Sequence, residues 1–277
     1  MFGALVLHEA RANDNHVEVS GKGPDVVLIP GLASAGAAMQ PIADDLAKCY
    51  RTHTFTLAGF AGQPANPGPQ LEGWERSIAD YIAHLESGKA IVIGHSLGGF
   101  LGLKLAVDHA DRVQHLVVLD ALPFLPAAMV PGATAEAMRP QADGMRKAIT
   151  AQPPDAFKAM QQQTLATMTT HAEAVATLVD WSLASDRTAM ADAYYEMFTT
   201  DLRDSVAAIR TPTLVLVPWD ASQRQDAATT LELYRQQYQK LPHAEVKLVK
   251  GSRHFLTFDQ PIATNWAIEQ FVGKCDH

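Results

Sequence analysis

Cysteine is scarce: the 277 residues hold two, Cys49 and Cys275, so neither a disulfide framework nor a CxxC metal or redox site can be written. Two unpaired thiols are the plain expectation. No run of about 20 apolar residues exists, which excludes a helical membrane span. Basic runs are missing too, with 22 Lys and Arg against 30 Asp and Glu and a formal charge of −8, so nucleic acid is not an expected partner. Internal repeats and low-complexity tracts are absent. What is present is ordinary for a globular protein, 47% hydrophobic and 19% charged residues, and this removes disordered, collagen-like and coiled-coil classes. One α/β domain with a sizeable insertion can bury a core at this length without covalent staples. Residues 2–7 form an apolar run with no basic residue before it, too short for a signal-peptide core, so the cytoplasm is the expected compartment. Ala10-Arg11-Ala12 keeps a periplasmic location open, as the remnant of a trimmed export signal.

Along the chain, Val26-Val27-Leu28-Ile29 is a continuous apolar run ended by Pro30-Gly31, the pattern of a parallel strand buried on both faces. Helical spacing follows over 37–49, a strand over 52–57, a Gly/Pro-rich loop over 58–70 and a helix over 74–85. Residues 90–93 are a third strand, 97–109 a helix, and 115–119 a fourth strand ending at Asp120. Strands alternating with helices imply right-handed crossovers and a mainly parallel sheet. From 122 to about 204 the strand pattern stops and amphipathic stretches take over. The sheet rhythm resumes at 214–217, followed by a helix over 226–241, a strand over 245–249 and a closing helix over 261–271. Residues 1–121 and 205–277 therefore read as the core, and 122–204 as a helical cap, because a structureless loop of that length inside a compact domain would be anomalous.

Gly94-His95-Ser96-Leu97-Gly98 lies between the strand at 90–93 and the helix beginning near Leu97. In that setting GxSxG is a nucleophile elbow: small flanking residues permit a sharp strand-to-helix turn that exposes the Ser96 hydroxyl. His95 is expected to be a structural neighbour rather than the base, since adjacent side chains in a tight elbow cannot easily bond each other. No GxGxxG follows the first strand, which disfavours a dinucleotide-binding protein.

On these stretches, together with LIPGLAS at 28–34, TLAGFAGQP at 56–64, LVVLDALPF at 116–124, TPTLVLV at 211–217 and GSRHFLTFDQP at 251–261, the chain resembles the α/β-hydrolase superfamily over nearly its whole length. The resemblance implies an eight-stranded, mainly parallel sheet flanked by helices, a helical cap between strands 6 and 7, and a Ser–acid–His triad in that chain order. It implies His254 as the base, with Arg253 where the superfamily more often has glycine, which brings a guanidinium to the rim of the site. It also places half of an oxyanion hole after the first buried strand, so that the donors would be the Leu32 and Leu97 amides, the latter at a helix N-terminus.

The acid has rival positions. The commonest superfamily place lies after the strand at 214–217, but there Pro218 stands for the glycine and Ala221 for the acid, leaving Asp220 one residue short. Asp120, at the end of the preceding strand, is preferred, with Asp220 the alternative and Asp226 a third. Seven of the nine methionines fall in the inserted segment, which is either packing within the cap or an adaptable apolar pocket, with Phe124, Met129, Trp181 and Phe198 as candidate walls.

The function expected is a carboxylesterase-like serine hydrolase acting through an acyl-enzyme on Ser96, on a small, partly apolar acyl substrate, with no metal or organic cofactor required. The same constellation serves thioesters, lactones, amides or carbon–carbon bonds, and lyases also use it. A ligand-binding sensor with slow or incidental turnover is the reading from another class.

Overall fold

The computed structural model describes residues 8–12, 15–222 and 225–273. Eight strands form one sheet: β1 His8–Ala12, β2 Asn15–Gly21, β3 Asp25–Ile29, β4 Arg51–Thr56, β5 Ala90–His95, β6 Val113–Leu119, β7 Thr213–Trp219 and β8 Glu245–Lys250. Their spatial order is β1-β2-β4-β3-β5-β6-β7-β8. The hairpin β1–β2 and the β2–β4 pair are antiparallel; from β4 through β3 to β8 every pair is parallel. The fold class expected from the resemblance is the one found.

Continuous apolar runs arise because both faces of this sheet are covered. Val27 and Ile29 of β3 point with Val92 and Val118 to one core cluster, and Val26 and Leu28 point with Ile91 and Val117 to another. Among the helices, α1 Gln40–Leu46 packs on the second face, whereas α2 Gln70–Ala83 and α3 Leu97–Asp108 pack on the first. Between β6 and β7 come five helices: α4 Pro126–Met129, α5 Ala135–Ala151, α6 Pro154–Met168, α7 Ala174–Leu183 and α8 Arg187–Thr199. The chain closes with α9 Ala227–Gln237, α10 Leu256–Asp259 and α11 Pro261–Val272; α9 joins the first face and α11 the second.

The β1–β2 hairpin is the part of the sheet that residue patterns did not reveal, although Val17 and Val19 alternate with His16, Glu18 and Ser20. Ala10-Arg11-Ala12 belongs to β1, and the apolar run at 2–7 lies outside the described residues. Cys49 is disulfide-bonded, which overturns the expectation of two unpaired thiols, while Cys275 lies outside the described residues. Spacing in sequence carries no signal for such a bond, because pairing depends on Cα separation in the fold. Among the described residues, no helix is long and apolar enough to cross a membrane.

A buried carboxylate of α2 packs on the first face. Glu75 of α2 is 5% exposed, with Oε2 3.0 Å from Lys104 Nζ and Oε1 without a hydrogen-bond partner among the described residues. Burial pushes its carboxyl up to about 7, against the opposing pull of Lys104. A carboxyl raised above its unfolded value stabilises the fold below the unfolded pKa, and that contribution is lost as pH rises through the folded one. Urea unfolding at pH 5 and pH 8 is expected to show Glu75→Gln gaining stability relative to wild type at the higher pH, by up to about 3 kcal/mol. A pH-independent difference between the two proteins would refute this account.

Candidate active site

The register of the parallel strands assembles the site at their C-terminal ends. His95 of β5 pairs with Leu119 of β6, so the next residues, Ser96 and Asp120, stand side by side where the chain leaves the sheet. The Ser96 amide donates to Leu119 O at 2.9 Å, and the Asp120 amide to Leu216 O of β7 at 3.0 Å. Both residues have left-handed backbones, φ +53° and +46°. At the elbow this turn demands glycines: a Cβ on Gly94 would lie 2.1 Å from Gly98 O, and one on Gly98 would lie 2.1 Å from Ile29 O. Ser96 is thereby raised, half-buried, at the start of α3.

The loop after β8 carries His254 onto this edge. Its Nδ1 is 2.5 Å from Asp120 Oδ2, with the imidazole 24% and the carboxylate 13% exposed. The second oxygen, Oδ1, accepts the hydroxyl of Tyr234 from α9. Burial alone would raise the Asp120 carboxyl, but the facing imidazole and the bonds from His254 and Tyr234 outweigh it and hold the group below the usual carboxylate range. His95 is fully buried, and its Nε2–H donates to the His254 carbonyl at 2.8 Å, since a carbonyl only accepts. Burial, then the neighbouring His254, lowers the His95 imidazole to about 3, so it stays neutral and serves as a prop for the loop. The two rings lie 4.5 Å apart, with Phe255 against both.

Asp220 is occupied elsewhere. Its Oδ2 meets Arg253 Nε at 2.6 Å, and its Oδ1 accepts the amide and hydroxyl of Ser222. Burial raises its carboxyl, and Ser222 and Arg253 together bring it below the usual range. Arg253 also reaches Thr169 O at 3.2 Å, just past the end of α6, so the residue standing for the usual glycine ties the insertion to the core. Asp226, the third candidate, caps α9 by accepting the Thr229 amide.

Leu97 follows Ser96 in the chain, and Leu32 follows Gly31, which lies against it. Leu97 is the first residue of α3, where an amide has no intrahelical acceptor. Leu32 sits half-buried in the loop after β3, which comes close because a Cβ on Gly31 would meet Ser96 Cβ at 3.2 Å and His95 Nδ1 at 3.1 Å.

A cavity of about 850 Å³ adjoins Asp120 and His254, lined also by Thr167, Met168, Tyr234 and Arg253. The four side chains expected as pocket walls are not among its lining. Phe124 and Phe198 are enclosed in the insertion's own apolar cluster, Met129 is 59% exposed, and Trp181 packs against the cluster of Leu178 and Phe255. Met190 and Met197 belong to the main core and Met138 to the insertion's interior, which is the packing alternative for the methionines; Met168 alone of the seven lines this cavity. Tyr234 was missed in the sequence because nothing in a helix pattern reveals which hydroxyl will face a strand end 114 residues earlier in the chain.

A profile of the alpha/beta hydrolase family matches residues 26–265. The chain belongs to that family. An enol-lactonase from Burkholderia xenovorans LB400 superposes with a TM-score of 0.75 at 21% identity, covering 96% of this chain and 99% of that one. A thermophilic esterase from Thermogutta terrifontis does so with a TM-score of 0.75 at 20% identity, covering 96% of each chain. At these identities the likeness speaks for the fold alone. A pimeloyl-(acyl-carrier protein) methyl ester esterase from Aeromonas salmonicida is 35% identical over 108 residues, which is 39% of this chain and 41% of the relative. A second of that name, from Vibrio atlanticus, is 34% identical over 113 residues, 41% of this chain and 42% of its own. The chain thus spans about two fifths of the length of the curated relatives it matches.

The elbow glycines yield a direct test. Gly98→Ala would force a Cβ into the Ile29 carbonyl, so either the loop after β3 or α3 must shift. The variant is expected to lose at least about tenfold in turnover and several degrees in Tm; wild-type values for both would mean the turn tolerates a side chain.

Proposed function

We propose that this α/β hydrolase cleaves carboxylic esters of small, partly apolar acyl groups through an acyl-enzyme on Ser96. The observation that carries the reading is the 2.5 Å bond between His254 Nδ1 and Asp120 Oδ2, set beside a serine on a left-handed elbow. With Nδ1–H given to the carboxylate, the free Nε2 is the base. Ser96 Oγ attacks the acyl carbonyl as Nε2 accepts its proton, and the Leu32 and Leu97 amides receive the negative charge on the carbonyl oxygen. Collapse of that adduct breaks the ester C–O bond, and the imidazolium gives its proton to the departing alcohol. Water, deprotonated by the same nitrogen, then attacks the acyl-enzyme; the acyl C–Oγ bond breaks, the imidazolium returns its proton to Ser96 Oγ, and the acid is released. Asp120 stays a carboxylate throughout and steadies the imidazolium, as its lowered pKa favours. The methyl ester esterases similar to part of this chain lend support to ester chemistry, and the insertion over this edge is the element we assign to substrate choice.

Ser96→Ala is expected to lower turnover of p-nitrophenyl esters by several orders of magnitude while leaving Tm unchanged, and a fluorophosphonate should label Ser96 alone. Mass spectrometry placing the adduct on another residue would end the proposal. Asp120→Asn is expected to lose about 10⁴-fold in kcat, the size of effect known from a serine protease. Asp220→Asn, which frees Arg253, should cost far less in kcat and act chiefly on stability. The opposite ranking would transfer the acid to Asp220.

A further inference from the structure

Asp120 sits at φ +46°, a conformation that L side chains rarely adopt, and the sheet holds it through its amide, which donates to Leu216 O of β7. The carboxylate and the turn after it are held from elsewhere. Helix α9 and its C-cap residue supply both contacts: Tyr234 donates its hydroxyl to Asp120 Oδ1, and Tyr238, the C-cap, donates to Ala121 O at 2.8 Å. Spacing of i, i+4 places the two phenols on one helix face, and both pack against the main core. Burial, then the Asp120 charge, pushes the Tyr234 phenol well above its usual value, so it remains a donor wherever the protein is folded and active. Neither Asp220 nor Asp226 receives a tyrosine; their carboxylates take partners within or next to their own loops.

We propose that Tyr234 is a positioning residue for the reaction: its hydroxyl fixes Asp120 Oδ1 so that Oδ2 faces His254, and with Tyr238 it lets the acid be carried after β6 instead of in the loop after β7. This rests on the reading of Asp120 and His254 as acid and base. The bond does more than aim the carboxylate. A hydroxyl donating to Oδ1 draws charge from the group and weakens it as a base, so the shared proton stays on His254 Nδ1. Without that hydroxyl, charge concentrates on Oδ2, the imidazolium is held more tightly, and the neutral base appears only at higher pH. The other charged or titratable groups around the pair are His95 from β5, which stays neutral, Tyr238 at the C-cap of α9, and Arg253, which is taken by Asp220.

The test compares wild type, Tyr234→Phe, Asp120→Asn and the double variant on one short p-nitrophenyl ester, with Tm measured for each. Tyr234→Phe keeps the ring in its packing and removes one oxygen. We expect kcat to fall about tenfold with KM unchanged, and the acid limb of kcat/KM to move up by about one pH unit. In the Asp120→Asn background the same substitution should change neither. On the Ser96→Ala protein, the low-field proton resonance of the His254–Asp120 bond should shift when Tyr234→Phe is added, a signature independent of turnover. A fall in Tm with kcat and the acid limb as in wild type would overturn the positioning role while leaving the triad intact. Near wild-type activity in Asp120→Asn would overturn the triad reading itself, and this inference with it.

Discussion

The pairing of His95 with Leu119 across β5 and β6 governs everything at the site, because in a parallel sheet the ladder decides which residues leave neighbouring strands together. Shifted by one residue, Ser96 would no longer stand next to Asp120, and the side chains of β6 would exchange faces between two well-filled cores. Register is therefore enforced by burial on both sides of the sheet, and the site inherits its alignment from hydrophobic packing far from any chemistry. The hydrogen bond between His254 and Asp120 closes an arrangement that the core has already prepared.

Polar groups at this edge are distributed so that each has one task. Asp120 divides its two oxygens between His254 and Tyr234, Asp220 gives both of its own to Arg253 and Ser222, and His95 supports the carbonyl of His254 from beneath. Two carboxylates near one imidazole would compete for it. Here the competition is removed by a cation: Arg253, the residue immediately before His254, engages Asp220 and the backbone after α6. The residue at the place of the usual glycine thus occupies Asp220, while His254 meets Asp120.

The insertion is less separable from the core than its place in the sequence implies. Met190, Ala193 and Met197 of α8 lie in the same apolar cluster as α2 and α3, whereas Phe124, Met138 and Phe198 form a cluster of their own. Excising residues 129–201 would open the main core. Changes confined to the end of α6, where Thr167 and Met168 line the cavity beside His254, reach the site without that cost.

Alternation of buried strands with amphipathic helices, GxSxG between β5 and α3, and an aspartate at the end of β6 were legible in the sequence, because each is written in local periodicity or in one short motif. The β1–β2 hairpin was faint, since a half-buried edge ribbon carries only a short alternation. The surroundings of the expected pocket walls were not legible either: Phe124, Trp181 and Phe198 are large and apolar wherever they point, and only packing decides whether such a ring faces a cavity or a neighbour. Nor could one-dimensional spacing reveal that Tyr234 would meet Asp120, 114 residues away, or that Arg253 would claim Asp220. Those contacts follow from how α9 and the loop after β8 lie over the sheet. The sequence by itself determined the fold, the elbow and the short list of acids; the tertiary structure decided which of them meets His254, because only packing sets which donors reach a given carboxylate.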